Sequence, residues 1–273
     1  PLPAVRLIED DVEAALAAGR AARKVVFVEV WAPWCHTCIS MKNFVLPDPA
    51  IRPLAERVVF AAIDSDRPVN AAFMRRFEVS VWPTLFVLDA ADKSVLGLWQ
   101  GAASVAELRQ FLTDAADAKD AKLDAAGPVA AMLAAKRAQA IGDHIGATAG
   151  FNEALSRAGA RWSRRGEALV GLVFSLYKQE QFVACAELGK QHIGSIEGAV
   201  APADFAWAYL ECAHKTKDAA LIAEAAKAVI ARLDKHVASP PQGSSIDDRS
   251  DAMATLASAH RATGAATAAK AVT

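Results

Sequence analysis

The sequence predicts two domains of different class, an α/β domain over residues 1–120 and an all-α domain of helical repeats over residues 121–273. In the first part, β-branched runs such as Val25 to Ala32 and Val58 to Ile63 alternate with segments of helical spacing. Near Ala121 the composition becomes Ala-rich and the β-branched clusters end. A length of 273 residues suits one large domain or two ordinary ones.

Composition and charge exclude several classes of function. Apolar residues make up 53% and charged residues 22% of the chain, which favours packed cores over disorder. The 30 basic and 31 acidic residues are interspersed, so we expect no nucleic-acid partner and no anionic membrane surface. No apolar run approaches the ~20 residues that span a bilayer, so we expect no membrane span in this chain.

The first domain is predicted from periodicity and breaker residues. We expect α, β, α, β, α, β, β, α over about 115 residues. Ser104 is expected to cap the last helix, with Glu107 in the capping-box position. The predicted segments are helix 9–24, strand 25–32, a helix after the cysteines ended by Pro47, helix 51–56, strand 58–63, helix 69–77, strands 84–88 and 94–99, and the helix from 104.

Two cysteines, Cys35 and Cys38, stand where the strand ending at Ala32 turns into a helix. A helix start carries unpaired N–H groups and partial positive charge, which favour a thiolate, so Cys35 is the candidate nucleophile and Cys38 the resolving cysteine. The spacing alone also permits half of a zinc site, a haem attachment or a buried pair. Zinc needs four ligands and the chain has no second C-x-x-C, while haem attachment needs His where Ile39 stands.

The segment from Trp31 to Cys38, with sequence WAPWCHTC, resembles the thioredoxin active-site motif. The segment Val81 to Thr84 resembles the family's cis-proline loop, and Gly101 resembles its late glycine. The residues after Cys38 are similar to thioredoxin-like domains that reduce exported proteins, such as thiol:disulfide interchange reductase domains. The resemblance implies a thioredoxin fold over about residues 5–118.

The resemblance also implies roles for residues around the dithiol. Glu29, a carboxylate in an apolar strand, would be a buried proton acceptor and donor under Cys38, although a strand-end Glu reaching solvent is the alternative. Pro83 would be cis and face the dithiol. Trp82 would shape the substrate groove or simply pack, and Trp34 would contact substrate.

Two residues between the cysteines would tune the redox couple. A cation at His36 would stabilise a thiolate and make the couple more oxidising. Strongly oxidising members of the family place His next to the second cysteine, where this chain has Thr37. The resemblance therefore leaves the reduction potential open.

The second domain is predicted to be helical throughout. Ala147, Phe151 and Ala154 resemble the second helix of a tetratricopeptide repeat, so we expect a tetratricopeptide-like architecture, with a plain helical bundle as the alternative. Cys185 and Cys212 lie among Ala and Leu and are expected to be buried thiols, with a disulfide between neighbouring helices as the alternative. The predicted helices are 128–141, 145–158, 163–179, 182–193, 202–215, 218–236 and 246–262.

These features together predict a thiol-disulfide oxidoreductase that reduces protein disulfides through Cys35 and Cys38, with protein thiols and disulfides as partners. The helical domain would dock a partner or client. No organic cofactor or metal is needed. The alternatives are a disulfide isomerase and a non-catalytic or redox-regulated scaffold. We expect a periplasmic or otherwise exported protein, with the cytoplasm as the alternative.

Overall fold

The computed structural model describes residues 5–159, 161–241, 244 and 246–272, so the first four residues of the predicted first domain lie outside it. The chain forms two compact units, residues 1–146 and 147–273. Within the described part of the chain, no helix has the length and apolar character needed to cross a membrane.

The first unit is a five-stranded mixed sheet with helices, which confirms the predicted α/β class. The strands lie in the order β1-β3-β2-β4-β5. The elements are β1 Leu7–Glu9, α1 Val12–Ala22, β2 Val25–Trp31, α2 His36–Ser40, a π-helical turn Met41–Val45, a 3₁₀ turn Arg52–Glu56, β3 Val58–Asp64, a 3₁₀ turn Pro68–Asn70, α3 Ala71–Arg76, β4 Thr84–Leu88, β5 Val95–Gln100, α4 Val105–Lys119 and α5 Pro128–Ala140.

Strand β2 lies at the centre of the sheet. It pairs in parallel with β3 and antiparallel with β4. Because side chains alternate along a strand, Val25 and Phe27 enter a core on one face, and Val26 and Val28 enter a second core on the other. The first core also holds Met41, from the helical segment after the dithiol. The carboxyl end of β2 thus delivers the dithiol to one edge of the sheet, beside the carboxyl end of β3.

The amino-terminal segment differs from the predicted helix 9–24. Residues Leu7–Glu9 form a short strand that pairs with β3, and the helix begins only at Val12. Asp11 caps the helix by accepting a hydrogen bond from the Ala14 N–H. A strand of three residues is too short to show a period of two, so pairing with β3 rather than local pattern explains it.

The helix that follows the cysteines changes its hydrogen bonding after Ser40. From Met41 to Val45 it is π-helical, and the Leu46 N–H donates to the Met41 carbonyl at 2.9 Å.

Helix α4 begins as predicted, since the Ser104 hydroxyl and the Glu107 carboxylate form a reciprocal capping box.

Helix α5 follows the predicted domain boundary but packs against β5. Its Lys136 ammonium lies 5.1 Å from the ring centroid of Trp99 and 5.8 Å from that of Phe111. The first compact unit therefore extends to residue 146. The division of the chain into domains at residue 120 stays a prediction.

From α5 onward the described chain is helical, which confirms the predicted all-α region, although the type of repeat stays a prediction. Consecutive helices pack on each other from α7 to α12. The remaining helices are α6 His144–Arg157, α7 Arg165–Lys178, α8 Phe182–His192, α9 Ala201–Thr216, α10 Ala219–Ala238, α11 Ile246–Ala262 and α12 Ala266–Val272, with a 3₁₀ turn Ile193–Ser195.

The expectation of two buried thiols in this region is wrong. Cys185 and Cys212 are fully buried, but they form a disulfide with a Cα–Cα distance of 6.0 Å. The bond joins α8 to α9, which are packed neighbours. Helical spacing predicts that each cysteine faces a core, but it does not show which helical turns meet there.

Candidate functional site

The candidate site is built around the Cys35–Cys38 disulfide, so the structure represents the oxidised form. The Cα atoms of the two cysteines are 5.3 Å apart. Cys35 is the N-cap residue of α2 and Cys38 lies in its first turn. The chain reaches this position through β2 and the turn at Pro33, so a rigid central strand fixes the start of the helix.

The two sulfur atoms have different surroundings. The Cys38 N–H donates to Cys35 Sγ at 3.1 Å, the position in which a helix N-terminus stabilises negative charge. Cys35 retains 6% exposure, whereas Cys38 is fully buried. Cys35 is therefore the more accessible of the two cysteines, and the roles of Cys35 as nucleophile and Cys38 as resolving cysteine stay predictions.

Glu29 is a buried carboxyl group on the central strand. It continues the row of Val25 and Phe27 on the face that Met41 and the π-helical turn cover. It is fully buried, and neither carboxyl oxygen has a hydrogen-bond partner among the described residues. Burial raises the pKa of Glu29 from its usual 4.5 to about 7, and the charge of Lys42 offsets part of this effect. Such a group can gain or lose a proton near neutral pH.

Lys42 lies on the helical segment that carries the dithiol. Its ammonium stands 3.5 Å above the ring centroid of Trp31 and 3.9 Å from the carboxylate of Glu9. Its side chain is only 17% exposed. The aromatic face and the carboxylate hold the positive charge close to the buried end of β2.

The loop before β4 faces the dithiol through Trp82. The Trp82–Pro83 peptide bond is cis, as the family resemblance implies. The indole of Trp82 packs against the buried cluster formed by Ala32, Cys35 and Cys38. The Pro83 carbonyl accepts a hydrogen bond from the Gly101 N–H at 2.8 Å, so Gly101, with φ of +88°, links the loop to the end of β5.

Trp34 and Trp82 form an aromatic pair beside the disulfide. Their ring centroids are 5.4 Å apart and the rings are inclined by 58°. Trp34 is 57% exposed, whereas Trp82 is half-buried. The structure therefore brings both predicted substrate-binding tryptophans to the dithiol.

Both indole N–H groups donate to the segment Asp64–Arg67, which we call the β3 loop. The Trp82 N–H donates to Ser65 Oγ at 3.0 Å, and the Trp34 N–H donates to an Asp66 carboxylate oxygen at 2.9 Å. The Ser65 N–H donates to the Trp31 carbonyl at 2.8 Å. The loop is thus joined to the end of β2 and to both tryptophans.

Asp10 holds the β3 loop in place from the other side. One carboxylate oxygen accepts hydrogen bonds from the Asp64 N–H at 2.9 Å and from the Asn70 amide at 2.7 Å. The other oxygen pairs with Arg67. Burial acts to raise the pKa of Asp10, but these hydrogen bonds and the Arg67 charge give it a lowered pKa overall.

The two candidate tuning residues differ in exposure. His36 is exposed and Thr37 is half-buried.

Within the described ranges, no group of three or more His, Cys, Asp or Glu side chains is arranged to hold a metal ion.

Sequence reasoning missed Ser65, Asp66, Asp10 and Lys42. The signal for the β3 loop was available, because polar residues follow β3 at the same sheet edge as the dithiol. Lys42 carried no signal of its own, because a lysine on a helix is usually solvated.

Comparisons with known proteins bear on the first unit alone. Residues 11–116 match the model of the thioredoxin-like domain family. Protein disulfide-isomerase 1 from Dictyostelium discoideum is 33% identical over 92 residues, which cover 33% of this chain and 25% of that protein. The thiol:disulfide interchange protein DsbD from Pseudoalteromonas atlantica is 31% identical over 90 residues, or 32% of this chain and 15% of that protein. The chain thus matches a quarter or less of the length of these relatives.

The first unit therefore has the thioredoxin fold and is a thioredoxin-like domain with a C-x-x-C cysteine pair. The arrangement is consistent with a thiol-disulfide oxidoreductase that acts on protein thiols.

Proposed function

We propose that this protein reduces disulfides in other proteins through Cys35 and Cys38. The observation that carries the proposal is the Cys38 N–H aimed at Cys35 Sγ at the start of a helix, in a pair that differs in exposure. A sulfur in this position is stabilised as a thiolate, which is the form that attacks a client disulfide.

The reaction would proceed in two exchanges. The Cys35 thiolate attacks one sulfur of the client disulfide, which forms a mixed disulfide and releases one client thiolate. The Cys38 thiolate then attacks Cys35 Sγ, which releases the second client sulfur and leaves the Cys35–Cys38 disulfide. Two electrons and, after protonation, two protons pass to the client. A partner dithiol must then reduce the enzyme again.

In this scheme Glu29 would take the proton from Cys38 as the mixed disulfide is resolved. Its place on the sheet face under the dithiol helix and its pKa of about 7 support this role. Pro83, Trp82 and Trp34 would contact the client chain beside the dithiol. His36 and Thr37 would adjust the reduction potential, which a titration of the dithiol against glutathione buffers measures.

The decisive experiment follows the reduction of insulin in the presence of a small dithiol. The wild-type protein should accelerate the reduction, and Cys35→Ser should bring the rate down to that of the small dithiol alone. Cys38→Ser, reduced beforehand and mixed with the client in the absence of the small dithiol, should instead accumulate a mixed disulfide with the client, visible on a non-reducing gel. If the wild-type protein gives no acceleration, or if Cys35→Ser retains it, the proposed reductase activity is wrong.

The same variants separate the two alternative functions. An isomerase would restore activity to a scrambled disulfide protein without net reduction, and the 33% identity to a protein disulfide-isomerase over 92 residues is the observation in its favour. A scaffold would keep its biological activity in Cys35→Ser. Each outcome differs from that expected of a reductase.

We further propose that the helical region is tetratricopeptide-like and docks a partner or client. The successive packing of α7 to α12 supports a repeat architecture, and the ring contact between Tyr177 and Trp207, which is 42% exposed, supports a role in binding. Trp207→Ala should raise the KM for a protein client and leave the reduction of a short disulfide peptide unchanged. An unchanged KM would remove the support for docking at this position.

An exported location, such as the periplasm, is proposed as well. Disulfides persist in oxidising compartments and are rare in the cytosol, and the buried Cys185–Cys212 bond is of the structural kind. Acid quenching of intact cells followed by alkylation should find this pair oxidised. If the pair is found as thiols, the cytoplasmic alternative is favoured.

A further inference from the structure

The β3 loop contacts both the dithiol segment and the loop that carries Trp82. Its Ser65 N–H is bound to the Trp31 carbonyl, four residues before Cys35. Its next two polar groups, the Ser65 hydroxyl and the Asp66 carboxylate, each accept one indole N–H. Adjacent residues of one loop therefore fix the orientation of two tryptophans.

The two hydrogen bonds act on rings with different environments. Trp34 is largely exposed, so its N–H can find water when Asp66 is lost. Trp82 is half-buried and packs on the cluster that contains both cysteines. Its N–H depends more on a protein acceptor, because a buried indole N–H without a partner is costly.

The β3 loop is itself held rigidly. Asp10 binds the Asp64 N–H and the Asn70 amide, and the Asn70 amide also donates to the Asp64 carbonyl at 2.8 Å. The Asp66 N–H donates to the Asp64 carboxylate at 2.9 Å. The Ser65 hydroxyl is thus presented from a fixed backbone, which is what a positioning residue requires.

We propose that Ser65 is a positioning residue that holds Trp82 over the dithiol, and that the resulting Trp82–Trp34 pair makes the site favour disulfides whose cysteine has a large apolar side chain next to it in the sequence. The proposal rests on the proposed reductase function. Because Trp34 is 57% exposed, the aromatic pair offers an accessible apolar surface on which an apolar or aromatic side chain can pack.

The test uses disulfide-linked peptides that are identical except for Phe or Ser next to one cysteine, with one matched pair of peptides for each side of that cysteine. The wild-type protein should reduce the Phe peptide with the higher kcat/KM. Since an aromatic contact of this kind changes binding by about 3- to 10-fold, Ser65→Ala should lower the Phe-to-Ser selectivity by about that factor, mainly through KM. Ser65→Thr keeps the hydroxyl and should keep the selectivity.

Two controls separate positioning from general damage. Ser80 is an exposed serine in the loop that carries Trp82, and Ser80→Ala should leave the selectivity unchanged. Trp82→Phe removes the indole N–H, so adding Ser65→Ala to Trp82→Phe should cause no further loss. A loss of equal size in both backgrounds would overturn the proposal, as would a Ser65→Ala protein with wild-type selectivity.

A measurement of tryptophan fluorescence tests the positioning role of Ser65 independently of reductase activity. Trp82 and Trp31 both pack against the cluster that contains the disulfide, so tryptophan fluorescence should rise on reduction by a small dithiol, and the rise should be smaller in Trp82→Phe. Ser65→Ala should change the size of this rise. If the wild-type protein reduces none of the peptides, the reductase function fails, and an unchanged fluorescence rise in Ser65→Ala would then reject the positioning role as well.

Discussion

Glu29 gives the dithiol region a dependence on pH at the scale of one residue. Its folded pKa of about 7 lies above the usual 4.5, so the folded state binds its proton more tightly than the unfolded state. Its contribution to stability is therefore fully present below pH 4.5 and is lost as pH rises to about 7. The loss amounts to roughly 3 kcal/mol for a shift of this size.

Glu29→Gln should remove this dependence. The variant cannot ionise, so at pH 8 it should unfold at higher denaturant concentration than the wild-type protein, and at pH 4.5 the two should be similar. Chemical denaturation of the oxidised forms at both pH values measures the difference. An equal difference between the two proteins at both pH values would show that Glu29 does not ionise with a raised pKa.

Lys42 is expected to influence the pKa of Glu29. Its charge lowers the pKa of Glu29, so Lys42→Met should raise that pKa above about 7, and Lys42→Arg, which keeps the charge, should change it less. A ¹³C NMR titration of the Glu29 carboxyl carbon in the oxidised protein measures both variants. Identical titrations in wild type and Lys42→Met would contradict the assignment.

Residues with their own chemical signature could be predicted from sequence, whereas those that act through a neighbour could not. Cys35 and Cys38 are marked by spacing, and Glu29 by its place in an apolar strand. Ser65 and Lys42 are ordinary polar residues whose importance comes from the rings above or beside them. The Ser65 contact exists only after β3 and the cis-proline loop have met in the fold, and the Lys42 contact only after the helical segment has packed beside the end of β2.

At the scale of elements, the β3 loop depends on Asp10. Asp10→Ala removes the acceptor for the Asp64 N–H, the Asn70 amide and Arg67. Because charge-assisted hydrogen bonds contribute about 1.5–3 kcal/mol, we expect the free energy of unfolding to fall by about 2 kcal/mol. Asp10→Asn retains an oxygen acceptor and should lose less. Denaturant unfolding of the three proteins tests the order, and an Asp10→Ala protein as stable as wild type would contradict it.

Low pH should weaken the hydrogen bonds by which Asp10 holds the β3 loop. The pKa of Asp10 is lowered in the fold, so its stabilising effect is present above its usual value of 3.8 and is lost as pH falls further. The pH dependence of unfolding in this range should be weaker in Asp10→Asn than in the wild-type protein.

The elements that were predicted correctly have strong local signals. The capping box of Ser104 and Glu107 and the β-branched run of β2 need no distant partner to be recognised. Strand β1 has three residues and is defined by its pairing with β3. The π-helical turn after Ser40 changes the hydrogen-bond register without changing the helical spacing enough to be seen.

At the scale of the whole molecule, the Cys185–Cys212 bond should stabilise the second unit alone. It joins residues 27 apart, and removal of a cross-link of this span costs about 3–4 kcal/mol in the loop-entropy account. Cys185→Ala should therefore lower the unfolding midpoint of the second unit, and the reduction potential of Cys35–Cys38 should stay the same.

The double variant provides the control. Cys185→Ala already removes the cross-link, so adding Cys212→Ala should cost little more, and the two effects should not add. Calorimetry of both variants gives the comparison. Fully additive effects would indicate two independent thiols.

Sequence could predict the two classes of architecture, because composition and periodicity change along the chain. It could not place α5, an Ala-rich helix like those that follow, in the first compact unit. Packing of α5 on β5, with Lys136 over Trp99 and Phe111, decides that placement. The Cys185–Cys212 disulfide could not be predicted either, because it depends on which turns of α8 and α9 pack against each other.

The burial of the second disulfide has a practical consequence for counting thiols. With Cys185 and Cys212 fully buried, a thiol reagent added to the native, reduced protein should find no more than two groups, those of Cys35 and Cys38. Denaturation in the presence of a reductant should raise the number to four. A redox titration of the Cys35–Cys38 pair should therefore count thiols in the native protein, because a count made after denaturation with a reductant also includes the thiols of the Cys185–Cys212 cross-link.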